Sequence, residues 1–327
     1  MELILTSAGS YPRVGVSEGQ QILRRTIAER EKGEKSDHDL RIAENEMTRM
    51  AIMEQVDAGL DLVTDGLVRW YDPVSHIAGQ LKGVEINGLL RYFDTNFYFR
   101  QPVVKEKLEW TKPIIVDELV YAKSISPKPV KPVLTGPYTL ARLSIADSDS
   151  YMRLDKLVED FTDALAQEIR ELSRSNADII QVDEPAIIKY PEDYGIIKEA
   201  IVVLNRAKED SKLALYTYSG DISPLYGKFQ DLPVDVLGID FTYGTNLVEI
   251  VSREGSEKPL GLGLIDGRNT KLESRKKIMN ILDRVLPRIK GGISYLNPSC
   301  GLEYLPRDKA FEKLKNMSEI KKNFCRY

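Results

Sequence analysis

Eight short, continuous apolar runs recur along the chain, and most end in small, acidic or turn-forming residues. They are LILTSAG (3–9), LDLVTDG (60–66), KPVLTGP (131–137), ADIIQVDEP (177–185), KLALYTYSG (212–220), DVLGIDF (235–241), PLGLGLIDG (259–267) and ISYLNPSC (293–300). Unbroken rather than alternating hydrophobicity is what strands covered on both faces require, as in a parallel sheet. The segments between them carry helical spacing. Met47, Ala51, Met53 and Val56 share a face within 44–56; Leu157, Phe161, Leu165, Ile169 and Leu172 do so within 157–172. Ile278, Ile281, Leu282 and Val285 repeat the pattern within 274–286. Strand and helix alternating to eight predicts an α/β fold, a single (β/α)8 barrel of the TIM type. The alternative is an open doubly wound sheet, but the first turn, SAGSYPRVG, carries no GxGxxG.

A chain of 327 residues with 42% hydrophobic and 29% charged content fits one soluble barrel, predicted to span residues 1–327. Residues 73–130 separate the second and third runs by more than one helix needs. Within them LLRYFDTNFYFRQP (89–102) predicts an extended or hairpin-like excursion over the barrel mouth, followed by a helix near 113–124. SISPKPVKP (124–132) reads as a stiff connector into the third strand.

The net charge of -4 gives no reason to expect nucleic acid, and no stretch is apolar enough to cross a bilayer. The opening MELILTSAGS reads as a first strand rather than a signal peptide. Two cysteines are too few for a disulfide framework, so a cytoplasmic location with both thiols reduced is expected. Cys325 lies in a basic tail and reads as incidental. Two histidines leave little room for a histidine-based metal centre.

In such a barrel the functional residues sit where strands end. The first run delivers Ser10 and Arg13, and the second leads into Arg69, Trp70, Tyr71 and Asp72. The third gives Tyr138, the fourth Gln181, Asp183 and Glu184, and the fifth Tyr218. The sixth gives Asp240, the seventh Asp266, Arg268 and Asn269, and the eighth Cys300. Arg91 and Asp94 come from the excursion. Two adjacent acids at a buried strand end are costly without a partner, which makes Asp183 and Glu184 catalytic candidates. Arg268 is expected to bridge Asp183, Glu184 or Asp240. Trp70, Tyr71 and the aromatics of 92–99 suit either packing or a ligand platform. His76 reads as a surface or hinge residue.

GSYPR (9–13), GLVRWYD (66–72), RYFDTNFYF (91–99), KPVLTGPYTL (131–140), QVDEPAI (181–187), TYSGDI (217–222), IDGRN (265–269) and NPSCGLEYLP (297–306) occur in that order. In this they resemble the cobalamin-independent methionine synthases, over roughly residues 3–306. That enzyme consists of two homologous barrels, and these wordings are most similar to its amino-terminal one.

The resemblance implies folate- or pterin-dependent methyl transfer to homocysteine. In the family's catalytic barrel, zinc held by His, Cys, Glu and Cys turns the substrate thiol into a thiolate. Carried over by position, the first two ligands fall near Tyr218 and Gly220, the Glu on Asp240 and the last Cys on Cys300, so two of four positions keep a donor. The family's substrate-binding Ser and Asp fall on Ser10 and Asp183, whereas a further carboxylate is replaced by Leu67. Asp183, Glu184, Asp240 and Cys300 are thus the catalytic candidates, with Asp240 and Cys300 also weak metal candidates. A basic grip on a folate tail would fall after PRVG (12–15), where the nearest basic pair is Arg24 and Arg25. The implied role is an amino-terminal-type barrel cradling the methyl donor beside a separate zinc-bearing catalytic barrel. The alternatives are an independent methyltransferase using a methylcorrinoid or pterin, or a non-catalytic small-molecule-binding barrel.

Overall fold

The computed structural model describes residues 2–93, 95–147, 151–244 and 246–324. Its strands, in chain order, are β1 (Glu2–Leu5), β2 (Lys82–Arg91), β3 (Tyr98–Glu109), β4 (Val133–Thr135), β5 (Ile145–Ala146), β6 (Ile179–Asp183), β7 (Lys212–Thr217), β8 (Val236–Asp240), β9 (Leu260–Ile265) and β10 (Ile293–Pro298). Seven of them form one parallel sheet, ordered β1-β10-β9-β8-β7-β6-β4. The run at 60–66 takes the remaining place through two single-residue parallel bridges, Thr6 with Leu62 and Val63 with Val130. These join β1 to the segment entering β4, so the eight runs make a ring. The second run contributes bridges rather than a full strand.

The helices are α1 (Ile22–Glu31), α2 (Asp37–Asp57), α3 (Ser75–Ala78), α4 (Val116–Ile125), α5 (Pro137–Leu143), α6 (Leu154–Arg174), α7 (Tyr194–Ala207), α8 (Tyr226–Gln230), α9 (Leu247–Glu254), α10 (Arg275–Val285) and α11 (Arg307–Phe324). The predicted helices are present, each with somewhat different ends. α2 begins well before residue 44 because Ser36 caps it, its hydroxyl accepting from Asp39 N at 3.2 Å while the Asp39 carboxylate accepts from Ser36 N at 2.9 Å. α6 buries the Leu157, Phe161, Leu165, Ile169 and Leu172 stripe.

Two apolar layers follow from this arrangement. The larger lies between sheet and helices. The smaller fills the ring itself, with Leu62, Ile179, Ala214, Tyr216, Val236 and Tyr295 in mutual contact. Tyr216 fits there because Gly238 and Gly261 stand opposite it; a Cβ at Gly238 would come within 2.2 Å of its ring. Glycine in those strands serves close approach.

The long interval 73–130 holds an antiparallel ribbon, β2 with β3, extended by β5 into a three-stranded sheet. It is wider than the sequence suggested, spanning 82–109, and its tip at 92–97 turns into the barrel mouth. Below the ribbon, Glu168 of α6 accepts from Trp110 Nε1 (2.8 Å), Ile114 N (2.8 Å) and Ile115 N (2.9 Å). One buried carboxylate therefore ties the ribbon's exit to the barrel. Glu168→Ala would orphan all three donors, and a loss of about 3 kcal/mol in unfolding free energy is expected by urea denaturation.

Candidate functional site

The ring's strand ends and the ribbon tip line one pocket that opens to solvent. Ser10, Tyr11 and Arg13 enter from behind β1, and Leu67, Trp70, Tyr71 and Asp72 from the second run. Asp183 comes from β6, Tyr218 from behind β7, Glu303 from behind β10, and Tyr92 and Phe97 from the ribbon tip. Chain segments almost three hundred residues apart thus meet at one opening.

One end of the pocket is acidic. Asp183 accepts from Gln181 Nε2 at 2.7 Å and from the Tyr218 hydroxyl at 3.2 Å, and Tyr92 OH lies 3.5 Å from Tyr218 OH. Burial pushes the Asp183 carboxyl up to about 7, against the opposing pull of its Gln181 and Tyr218 bonds and of Lys131. Across from it the Ser10 hydroxyl donates to Glu303. Burial also raises the Glu303 carboxyl. Two acids and a hydroxyl facing one cavity make a site for an ammonium group.

The opposite wall is aromatic and cationic. Tyr71 meets two guanidinium groups, Arg13 at 5.1 Å and Arg100 at 4.6 Å from its ring centre. Arg13 Nε has no hydrogen-bond partner among the described residues, although it is buried. Arg13 also lines the pocket, and a guanidinium on its wall favours an anionic ligand group. Trp70 is fixed by Nε1 donating to Glu118 at 3.0 Å and by stacking on His76, 4.8 Å between ring centres. His76 is therefore no surface hinge; it lies under the pocket wall and bonds Glu118 at 2.9 Å. Asp72 lines the pocket but spends its oxygens on Val74 N, Ser75 and Arg100 N, pinning the ribbon.

Several sequence candidates lie elsewhere. Glu184 accepts from Tyr138 N (2.9 Å), Thr139 N (2.7 Å) and Thr139 Oγ1 (2.6 Å), so it holds the start of α5 and is absent from the pocket. Tyr138 turns its hydroxyl to Asp193 at 2.6 Å, also away from the mouth. Arg69 sits between Asn45 and Tyr121 behind the wall. Arg91 is exposed on the ribbon, 3.3 Å from Asn96. Asp94 lies outside the described residues, as does Cys325.

Asp240, Arg268, Asp266 and Asn269 form a second cluster. Arg268 reaches Asp240 at 3.1 Å and Asp266 at 3.1 Å and covers the Tyr243 ring at 3.9 Å. Of the three alternative partners expected for Arg268, Asp240 is the one bridged, with Asp266 added. Asn269 donates to Asp266 at 2.5 Å. Asp240 also accepts from Thr242 N (2.8 Å) and Thr242 Oγ1 (2.5 Å). Burial raises its carboxyl pKa while Arg268 opposes that shift.

This cluster is where the family's zinc would sit, and its residues do not fit the ion. Among the described residues no three His, Cys, Asp or Glu side chains are grouped to hold a metal. Asp240 is already paired with a guanidinium. Cys300 is buried, and among the described residues no second cysteine stands with it, short of the three or four ligands a tetrahedral zinc takes. Tyr218 is turned to Asp183 instead.

Lys131 and Glu303 are the residues that the sequence pattern does not single out, whereas Tyr92 and Phe97 belong to the aromatics of 92–99 expected over the barrel mouth. Glu303 stands inside NPSCGLEYLP but after a turn. Lys131 could have been noticed as a cation opening a strand with both faces buried.

Fold and pocket together define a small-molecule-binding α/β barrel. Residues 3–323 match the family model described as the catalytic domain of cobalamin-independent synthase. A methionine synthase of Saccharolobus solfataricus is 34% identical over 320 residues, 96% of this chain and 92% of the relative. One of Sulfurisphaera tokodaii is 33% identical over 95% of this chain and 89% of its own length. The chain belongs to the cobalamin-independent methionine synthase family. A B12-independent methionine synthase from Shewanella sp. W3-18-1, solved in complex with selenomethionine, shares the fold with a TM-score of 0.80 at 21% identity over the whole of both chains. A putative vitamin-B12 independent methionine synthase from Listeria monocytogenes does so at 0.72 and 16%, over 99% of each.

The matched model is that of the catalytic domain, not the amino-terminal barrel expected from the motif wordings. The Saccharolobus and Sulfurisphaera relatives are themselves of about single-barrel length, so their match lends no support to a separate catalytic partner. No helix among the described residues is long and apolar enough to cross a membrane. Purified protein is expected to contain substoichiometric zinc, unchanged in Cys300→Ser. Full occupancy lost in that variant, by elemental analysis, would make Cys300 a ligand after all.

Proposed function

We propose that the mouth pocket binds homocysteine together with a methylated pterin of the folate type, and that the chain serves methyl transfer to the homocysteine sulfur. The observation that carries this reading is the polarity of the pocket. Asp183, Glu303 and Ser10 offer an ammonium site, and Arg13 in the same pocket offers a partner for the carboxylate on the neighbouring atom. Trp70, Tyr71, Tyr92 and Phe97 supply faces on which a flat heterocycle or a thioether can lie. Relatives at about one-third identity bear the name methionine synthase, which supports the same chemistry.

In the transfer a methyl carbon leaves the pterin nitrogen for sulfur, the thiol proton is lost, and the nitrogen keeps the bonding electron pair and takes up a proton. Asp183, Glu303, Ser10 and Arg13 would bind and orient the amino acid. The ribbon tip would exclude water above it. These groups set the approach of the sulfur to the methyl group.

A second reading is favoured by the poor zinc donor set. In it the thiolate forms on a separately encoded zinc-bearing barrel, and this chain cradles the methyl donor. Methionine formation from homocysteine and methyltetrahydrofolate distinguishes the two readings. Turnover by this chain alone supports the first; turnover only after adding a zinc-bearing barrel supports the second. No turnover in either case, with no binding of methionine or folate by calorimetry, would end both. For an ammonium ligand the sign of the pH dependence is fixed by Asp183. Its carboxyl is neutral below about 7 and charged above. L-Methionine should therefore bind more tightly as pH rises through 7, and Asp183→Asn should flatten that profile in a calorimetric series.

A further inference from the structure

We propose that Lys131 is a positioning residue for the mouth pocket: acting through Gln181, it holds Asp183 as a fixed, charged acceptor for a ligand's ammonium group. This rests on the reading of the pocket as an amino-acid site given above. Lys131 opens the third run, and its side chain lies inside the ring, only 1% exposed. It does not line the mouth pocket, so it acts at one remove.

Its ammonium is fully occupied. Nζ donates to Ser7 O at 3.0 Å and to Gln181 Oε1 at 2.5 Å, and lies 4.8 Å from the centre of the Tyr216 ring. Two acceptor oxygens and a π face suit a cation. Gln181 in turn gives both amide hydrogens away, to Ala8 O at 2.7 Å and to Asp183 Oδ1 at 2.7 Å. A backbone carbonyl cannot donate and an ammonium cannot accept. The amide therefore has one workable orientation. Turned over, it would set oxygen against oxygen at Ala8 and nitrogen against nitrogen at Lys131. Lys131 thus dictates that Asp183 meets a donor from below, which leaves Oδ2 to Tyr218 and the cavity.

Charge works the same way. Asp183 is faced by Glu303 from behind β10, Tyr218 from behind β7 and Tyr92 from the ribbon tip, and Glu184 follows it in β6's exit. Those groups are acidic or neutral, while Lys131 is the cation whose field favours a charged Asp183. Burial lowers the Lys131 ammonium to about 7, opposed by Asp183. Each of the two groups thus favours the other's charge. A lysine that merely plugged the ring would lack this directional chain.

The test uses the full-length protein and two probes, L-methionine and 4-(methylthio)butanoate, which keeps the thioether and carboxylate but has no ammonium. Lys131→Met should weaken methionine binding roughly tenfold or more while leaving the analogue within about twofold. Lys131→Met with Gln181→Leu, which removes the orphaned amide, should recover thermal stability without recovering the preference for methionine. Equal losses for both probes, or no loss for either, would overturn the proposal. If the unmodified protein binds neither probe, the amino-acid reading fails by itself, and carbon-13 NMR of the Asp183 carboxyl in the free protein decides about Lys131. The titration should move to higher pH in Lys131→Met, and an unmoved titration rejects the positioning role.

Discussion

The inside of an eight-place ring is too narrow for more than a few side chains at each level, and everything above depends on what fills it. Here the lower level is apolar, centred on Tyr216 and Tyr295. The level above it is polar, with the Lys131 ammonium bonded to Ser7 O and Gln181. A charge at that depth is stable only because each hydrogen meets an acceptor or a ring face. Its placement turns the top of the ring into a preorganised set of dipoles beneath the mouth.

Two strand-end acids show how neighbours divide similar chemistry into different roles. Asp240 is neutralised by Arg268 and hydrogen-bonded by Thr242, which leaves it closed to ligands. Asp183 is met by an amide, a phenol and a more distant cation, which leaves an oxygen facing open space. The carried-over metal position falls on the first, and the second lines the mouth pocket.

Most of the architecture could be read from periodicity, because doubly buried strands and one-sided helices write their burial directly into residue order. The run at 60–66 shows the limit: it has strand composition, yet only Leu62 and Val63 pair, since Asp65 and Gly66 already belong to the turn toward Trp70. Site membership was legible in part. Ser10, Asp183, Trp70 and Tyr218 meet as their strand-end positions suggested. Glu184, next to Asp183, faces the other way and holds the start of α5, and Tyr138, already inside α5, turns its hydroxyl to Asp193. Tyr92 and Phe97 fall within the aromatic excursion expected over the mouth, whereas Glu303 depends on how a final turn closes, which no local pattern encodes.

The hydrogen bond between Ser10 and Glu303 spans almost the entire polypeptide. On a ribosome, the first half of that pair emerges long before the second. A growing chain therefore has no formed cavity to trap a metabolite in, and recognition begins only when the last strand slots beside the first.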